Sequence, residues 1–279
     1  MKAICVSDIH GNDVKYRKLC AYIKQNLPEA VFIAGDVLPN YYVDEPGEFI
    51  KDSLYPLFNG LKNELDQKYP GVFLIYGNDD AAASVECFNI LKSKGLLSLI
   101  NNSVVNFNGY TAAGYPYVPP TPFLLKDWEK YDISRYVARG CVSPEEGLRT
   151  VEIPPSITKY STIKDDLNEL ALQIPDFRKT IMLFHAPPCD TNLDKIDGKD
   201  INGNREIRSI GSFAIRKFIE KYQPLVTLHG HLHESTDITG KWGDRIGETY
   251  CFNAAHSGNE LAIIEFDTTE PESAVRALL

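Results

Sequence analysis

No apolar run in this chain approaches the roughly 20 residues that a membrane-spanning helix needs,. A basic excess is missing too: 29 Lys and Arg face 38 Asp and Glu, a formal net charge of −9. That balance argues against a general nucleic-acid binder or a membrane-surface protein, both of which want a basic face. The six cysteines (Cys5, Cys20, Cys87, Cys141, Cys189 and Cys251) include no CxxC pair and form no dense framework. In a chain of 279 residues they read as reduced thiols rather than disulfides or a zinc knot,. The N-terminal MKAICVSD has one lysine and a short apolar run ending at an acid, which is not the pattern of a secretory signal,. Neither an internal repeat nor a low-complexity segment is present. These absences lead us to expect a soluble, cytoplasmic protein with no membrane partner and no general nucleic-acid partner.

What is present is an ordinary globular composition, 43% hydrophobic and 24% charged, on a chain long enough to bury a sizeable core,. Over the first hundred residues short apolar runs (AICVS, Ala30 to Ala34, Val72 to Tyr76) alternate with helical patterns. The helical stretches are Val14 to Asn26, Phe49 to Leu65 with a break near Pro56, and Val85 to Lys94. This alternation predicts βαβ units, a parallel sheet and the α/β class. Val104 to Gly114 then alternates as antiparallel strands would, turning at Gly109,. Strand and helix patterns resume with a helix over Ser161 to Ile174, a strand over Thr180 to Phe184 and a helix over Ser212 to Tyr222. Further strands follow over Leu225 to Leu228, Thr249 to Asn253 and Leu261 to Phe266. We expect one domain over 1–279, with an inserted cap at about 115–178, rich in Pro, Tyr and Arg, and a peripheral tail at about 267–279,.

Five of the apolar runs end at residues that ligate metals. AICVSDIHGN supplies Asp8 and His10, VFIAGDVL supplies Asp36, and VFLIYGNDD supplies Asn78. IMLFHAPP supplies His185, and LVTLHGHLH supplies His231 and His233. Neighbouring buried strands would gather these seven side chains at one sheet edge, where open α/β folds place ligands. Carboxylate, imidazole and amide oxygen together suit Mn, Fe, Zn or Ni and disfavour a thiolate site. Two such ions about 3.5–4 Å apart can share a water, lower its pKa and hold a phosphoryl oxygen. Glycines beside the ligands (Gly11, Gly35, Gly77, Gly230) allow sharp turns and leave room,.

In order and spacing, DIHGN, AGDV, GND, the His185 segment and HGHLH resemble the calcineurin-like metallophosphoesterases. The resemblance spans Met1 to about Gly114 and Lys179 to Phe266. It implies a sandwich of two mixed β-sheets flanked by helices, an α/β/β/α arrangement. It also implies that Asp8, His10, Asp36 and His233 hold one divalent ion, and Asp36, Asn78, His185 and His231 a second, with Asp36 bridging. The implied activity is hydrolysis of a phosphoric ester by a water or hydroxide shared between the ions. A phosphodiester or nucleotide-like small molecule is the favoured substrate. A phosphomonoesterase and a catalytically weak metal-binding scaffold of the same fold are the alternatives. A metallo-β-lactamase-like site would need HxHxDH, and HD-type phosphohydrolases need a His-Asp pair; the chain has neither.

One position departs from the family pattern. Many members carry a histidine after Gly-Asn, placed to protonate the leaving group, whereas this chain has Asp79 followed by Asp80. An ordinary aspartate is ionised at neutral pH and is a poor acid unless burial or a neighbour raises its pKa. Asp79 and His256 (in NAAHSG) are therefore both candidates for proton transfer, although His256 reads first as a histidine packed or solvated at a strand end. Asn12, Arg135 and Arg139 are candidate substrate contacts, with Arg149 beside them, since a guanidinium fork matches phosphate. Asn12 also reads as a helix cap and the arginines as surface residues. His229 reads as a buried structural residue. Tyr115, Tyr117, Phe123 and Trp128 read either as a stacking platform or as the cap's own core.

Overall fold

The computed structural model describes all residues except 42–44 and 200–202. Fourteen strands lie among the described residues: β1 (Lys2–Val6), β2 (Ala30–Ala34), β3 (Gly71–Ile75), β4 (Ser98–Leu99), β5 (Ser103–Phe107), β6 (Tyr110–Tyr115), β7 (Thr180–Phe184), β8 (Lys195–Lys199), β9 (Arg205–Ser209), β10 (Val226–His229), β11 (Gly243–Ile246), β12 (Thr249–Asn253), β13 (Ala262–Asp267) and β14 (Glu270–Leu278). One sheet runs β14-β13-β1-β2-β3-β4 and the second β11-β12-β10-β7-β6-β5; β8 and β9 form a separate hairpin. β1 to β4 are mutually parallel, as are β6, β7, β10 and β12. Antiparallel strands flank each parallel centre. The chain is a sandwich of two mixed sheets.

Side-chain alternation divides the core into three layers. Ala3, Cys5, Ala30, Phe32, Ala34, Phe73 and Ile75 of the first sheet meet Ala112, Ile181, Leu183, Val226, Leu228 and Phe252 of the second. The intervening Ile4, Val6, Val31, Ile33, Val72 and Leu74 face outward, under Leu19 and Ile23 of the helix Asp13–Asn26 and Phe58 and Leu61 of the helix Tyr55–Leu65. Beyond the second sheet, Ala113, Met182 and Phe184 pack with Leu167 and Leu170 of the helix Ile163–Ala171 and Ile215 and Phe218 of the helix Phe213–Tyr222. The order is helix, sheet, sheet, helix.

Local departures from the sequence pattern have physical causes. The helical stretch before Leu65 does not break at Pro56; a π-turn over Ile50–Leu54 precedes it, and the proline falls in the first turn of the next helix,. Ala82–Phe88 is 3₁₀, and only Asn89–Ser93 is α-helical. Residues 267–279, which lack a strong strand pattern, provide β14, an edge strand hydrogen-bonded along β13. Within 115–178, the helix Ile163–Ala171 belongs to the outer layer of the second sheet, so the segment proper is 116–162, irregular apart from the short helix Pro155–Tyr160. That segment is anchored rather than loose. Trp128 stacks on Tyr76 with centroids 5.2 Å apart, and Tyr117 packs on Trp128 at 5.4 Å. A fully buried Lys126–Glu129 pair at 2.5 Å, joined by Thr121, forms its inner node. No helix among the described residues is long and apolar enough to cross a membrane.

Candidate metal centre

β1, β2 and β3 are neighbours in one sheet, and β7 and β10 are neighbours in the other. Their carboxyl ends therefore face one another across the sandwich. Asp8 and His10 follow β1, Asp36 follows β2, Asn78 follows β3, His185 follows β7, and His231 and His233 follow β10. The backbone there is bent into unusual conformations. Asp8 (φ 54°), His10 (49°), Asp36 (51°) and His231 (71°) all occupy the left-handed region that non-glycine residues avoid,. Such strain persists only where surrounding structure fixes it. Here the two loops are laced together: Asp8 N–H donates to Gly35 O (3.0 Å), His10 N–H to Asp36 O (2.8 Å) and Gly11 N–H to Val37 O (3.0 Å). Gly35 and Gly77 have no room for a side chain. A Cβ on Gly35 would lie 2.4 Å from His185 Nδ1, and one on Gly77 would lie 2.2 Å from Asp36 Oδ1.

The donor atoms converge. His233 Nε2 lies 3.0 Å from Asp8 Oδ1, and the His231 N–H donates to both Asp8 oxygens at 3.1 Å. His185 Nε2 lies 3.2 Å from Asp36 Oδ2 and 3.1 Å from Asn78 Oδ1. His10 Nε2 is 4.0 Å from Asp36 Oδ2, and the His185 and His231 rings are 5.2 Å apart. Three sets have ligand atoms within 4.8 Å of one another: Asp8/His10/His233, Asp8/Asp36/His185 and His10/Asp36/Asp79. Asp8, His10 and Asp36 each belong to two of these sets, so the three sets run into one another.

The donor chemistry fits cations. His185 Nδ1 is 2.7 Å from the Ala34 carbonyl, to which its N–H donates, so in the neutral ring Nε2 presents a lone pair to Asp36 Oδ2 and Asn78 Oδ1,. Three acceptors then face one buried point, an arrangement stable only with a positive charge among them. In the protein alone a proton fills that role. Burial pushes His185 down, yet the charges of Asp36 and Asp8 outweigh it and raise the ring to about 10. Burial raises Asp36 as well, but the charge and hydrogen bond of His185 bring it below the usual carboxylate range. For Asp8 burial is likewise overcome, by its hydrogen bond to His233 and then by the charges of the nearby histidines. His231 is held down to about 3 by burial and by His185. A divalent ion would supply the same positive charge.

Most of the other sequence candidates have local partners of their own. Asn12 caps the helix Asp13–Asn26, its Oδ1 accepting from Lys15 N–H at 3.1 Å. Arg135 pairs with Glu145 at 2.6 Å, and Arg139 is exposed on the irregular segment. Arg149 donates to the carbonyls of Asp127 and Pro144. His256 lies 3.2 Å from Glu260 and in none of the three clusters. His229 is buried between Ala186 O (2.9 Å) and Thr227 Oγ1 (2.8 Å). The aromatic group divides, with Tyr115 buried and bonded to Asp166, Trp128 stacked on Tyr76 and Phe123 57% exposed.

Asp79 lies against the candidate ligands. Partial desolvation of its half-exposed side chain, then the charge of Asp36, pushes its carboxyl up to about 6, though two cations beside it would favour the ionised form again.

Asp80 was not singled out from the sequence for any role. Fully buried, it accepts from the N–H groups of Val37 (2.9 and 3.2 Å), Leu38 (2.8 Å) and Gly77 (2.8 Å), clamping the Asp36 loop to the Asn78 loop. Trp128 Nε1–H donates to its carbonyl at 2.7 Å, which ties the irregular segment to the same clamp. Two adjacent acids after a strand are the only signal for it.

A family model described as Calcineurin-like phosphoesterase matches residues 1–235, the span that contains all seven candidate ligands. The chain belongs to the calcineurin-like phosphoesterase family. As a member of that family it is a metallophosphoesterase, a metal-dependent hydrolase of phosphoric esters. Among solved structures it is similar to TT1561 of Thermus thermophilus, at 15% identity over 99% of this chain and 98% of that one, with a TM-score of 0.58. A second crystal structure, 13% identical over 99% of this chain and 98% of its own, has a TM-score of 0.61. At such identities the likeness is one of fold. No similar protein was found among curated sequences. His256 lies beyond the matched span.

Proposed function

We propose that this phosphoesterase acts on a phosphodiester or nucleotide-like small molecule at a site of two divalent ions. Asp8, His10, Asp36 and His233 would hold one ion, and Asp36, Asn78, His185 and His231 the other. The observation that carries this reading is the buried convergence of His185 Nε2, Asp36 Oδ2 and Asn78 Oδ1 within 3.2 Å of Nε2, three acceptors that need a cation. When bound, the ions supply an acidified water as nucleophile and neutralise charge on the phosphoryl oxygens. The protein's own part is orientation. Ala34 O fixes the His185 tautomer, the His231 backbone N–H donates to the Asp8 carboxylate, and the laced loops hold Asp8 and Asp36 in strained conformations that free coils would not populate.

Diesters are favoured by the position after Gly-Asn. An aspartate ionised beside two cations is a poorer acid than a histidine, which favours diesters and other esters whose leaving group departs as a stable anion and needs less protonation. Mn, Fe, Zn and Ni all suit the donor set. The test is hydrolysis by the Mn-loaded protein of bis-p-nitrophenyl phosphate, p-nitrophenyl phosphate and cyclic nucleotides, with Asp36→Asn as the blank. Turnover of diesters that chelator abolishes is expected. Preference for the monoester would overturn the substrate reading, and no turnover with metals bound would overturn the catalytic one.

A further inference from the structure

Asp79 hydrogen-bonds to two candidate ligands and lies near a third, each through a different group. Its backbone N–H donates to Asp36 Oδ1 at 2.8 Å. Its Oδ1 accepts from Asn78 Nδ2 at 2.9 Å. Its Oδ2 lies 3.8 Å from His10 Nδ1. The two carboxylate oxygens thus address one residue from each half of the site. An asparagine ligand has two chemically opposite ends, and only its oxygen can meet a cation. With Nδ2 held by Asp79, Asn78 turns Oδ1 toward His185 Nε2, 3.1 Å away. A histidine ligand has the same ambiguity between its nitrogens, and a carboxylate beside one nitrogen draws the proton there and frees the other. His10 has Nδ1 on the Asp79 side, 3.8 Å from Oδ2, and Nε2 on the Asp36 side, 4.0 Å from Oδ2.

We propose that Asp79 is a positioning residue that orients one ligand of each ion, Asn78 for one and His10 for the other. Aspartate after Gly-Asn thereby serves the metal site instead of the leaving group. This inference rests on the two-ion reading above. The 49% exposure of the Asp79 side chain leaves it free of any core-packing duty.

Isothermal titration of the chelator-stripped full chain with Mn²⁺ alone, alongside circular-dichroism melting, tests it. Loss of such an outer partner weakens a metal site by about 10–100-fold. Asp79→Ala is expected to weaken both ions by about that factor. The isosteric Asp79→Asn keeps an oxygen for Asn78 but presents N–H to His10, so its loss should fall mainly on one ion. Asp79→Glu, which restores the carboxylate, is expected to recover part of the affinity. Were Asp79 a proton donor instead, Asp79→Asn would bind both ions like the wild type and lose rate only on esters with poor leaving groups. That result would overturn the proposal. Absence of Mn²⁺ binding by the wild type would overturn the two-ion reading itself.

Discussion

Asp80→Asn tests whether the two ligand loops are held by a buried charge. The carboxylate accepts from three backbone N–H groups, Val37, Leu38 and Gly77, and is fully buried. Asparagine has the same shape but replaces one oxygen by NH₂, which would face an N–H whichever way it turns. Losing a hydrogen bond to a charged acceptor costs about 1.5–3 kcal/mol, and a buried N–H left unpaired about 1–3 kcal/mol. We expect a total near 2–4 kcal/mol, since the two figures overlap. For a domain of this size about 1 kcal/mol shifts Tm by roughly 2 °C, so a fall of about 4–8 °C should appear in circular-dichroism melting. Because the same clamp sets the spacing of Asp36 and Asn78, Mn²⁺ affinity should fall with it. Burial, and after it the charge of Asp36, pushes the Asp80 carboxyl upward. If those effects prevailed and the group were neutral, asparagine would be nearly isosteric with it and Tm would move by less than about 1 °C. That outcome would refute the charged clamp.

Three further outcomes follow from single contacts. Gly77→Ala places a methyl 2.2 Å from Asp36 Oδ1 and 2.5 Å from His185 Nε2. It should cost about 1–3 kcal/mol in stability and about 100-fold in kcat/KM through ligand displacement, read by melting and diester hydrolysis. Trp128→Phe keeps the stack on Tyr76 but removes the 2.7 Å bond to Asp80 O. A loss of about 1 kcal/mol is expected in urea unfolding. Asp267 is held down to about 2, first by the Thr269 N–H and then by the Thr269 hydroxyl. A depressed carboxylate stabilises above its unfolded value near 3.8 and ceases to do so as pH falls through about 2,. The Tm difference between wild type and Asp267→Asn should therefore shrink from pH 4 to pH 2.

The strand ends were legible because each metal-ligating residue type follows an uninterrupted apolar run, and buried parallel strands are continuous apolar runs. The pairing of those strands into two sheets was not legible from periodicity: Ala30, Phe32 and Ala34 face the second sheet while Val31 and Ile33 face helices, and both sets are apolar. Only the family resemblance pointed to the sandwich. β14 escaped notice because an edge strand buries little, and EPESAVRAL alternates weakly. Asp80 escaped because its partners are backbone N–H groups from a loop 42–43 residues earlier, which no side-chain pattern announces. The anchoring of Trp128 to Tyr76 and Asp80 likewise depends on contacts 48 or more residues apart.

The central claim is that Asp36 joins two ions in one site. Metal analysis of the purified chain after Mn²⁺ loading and desalting, compared with Asp36→Asn, addresses it directly. The account predicts two ions per wild-type chain and weakened retention of both by Asp36→Asn. One ion per wild-type chain, or loss of a single ion on substitution of Asp36, would contradict it.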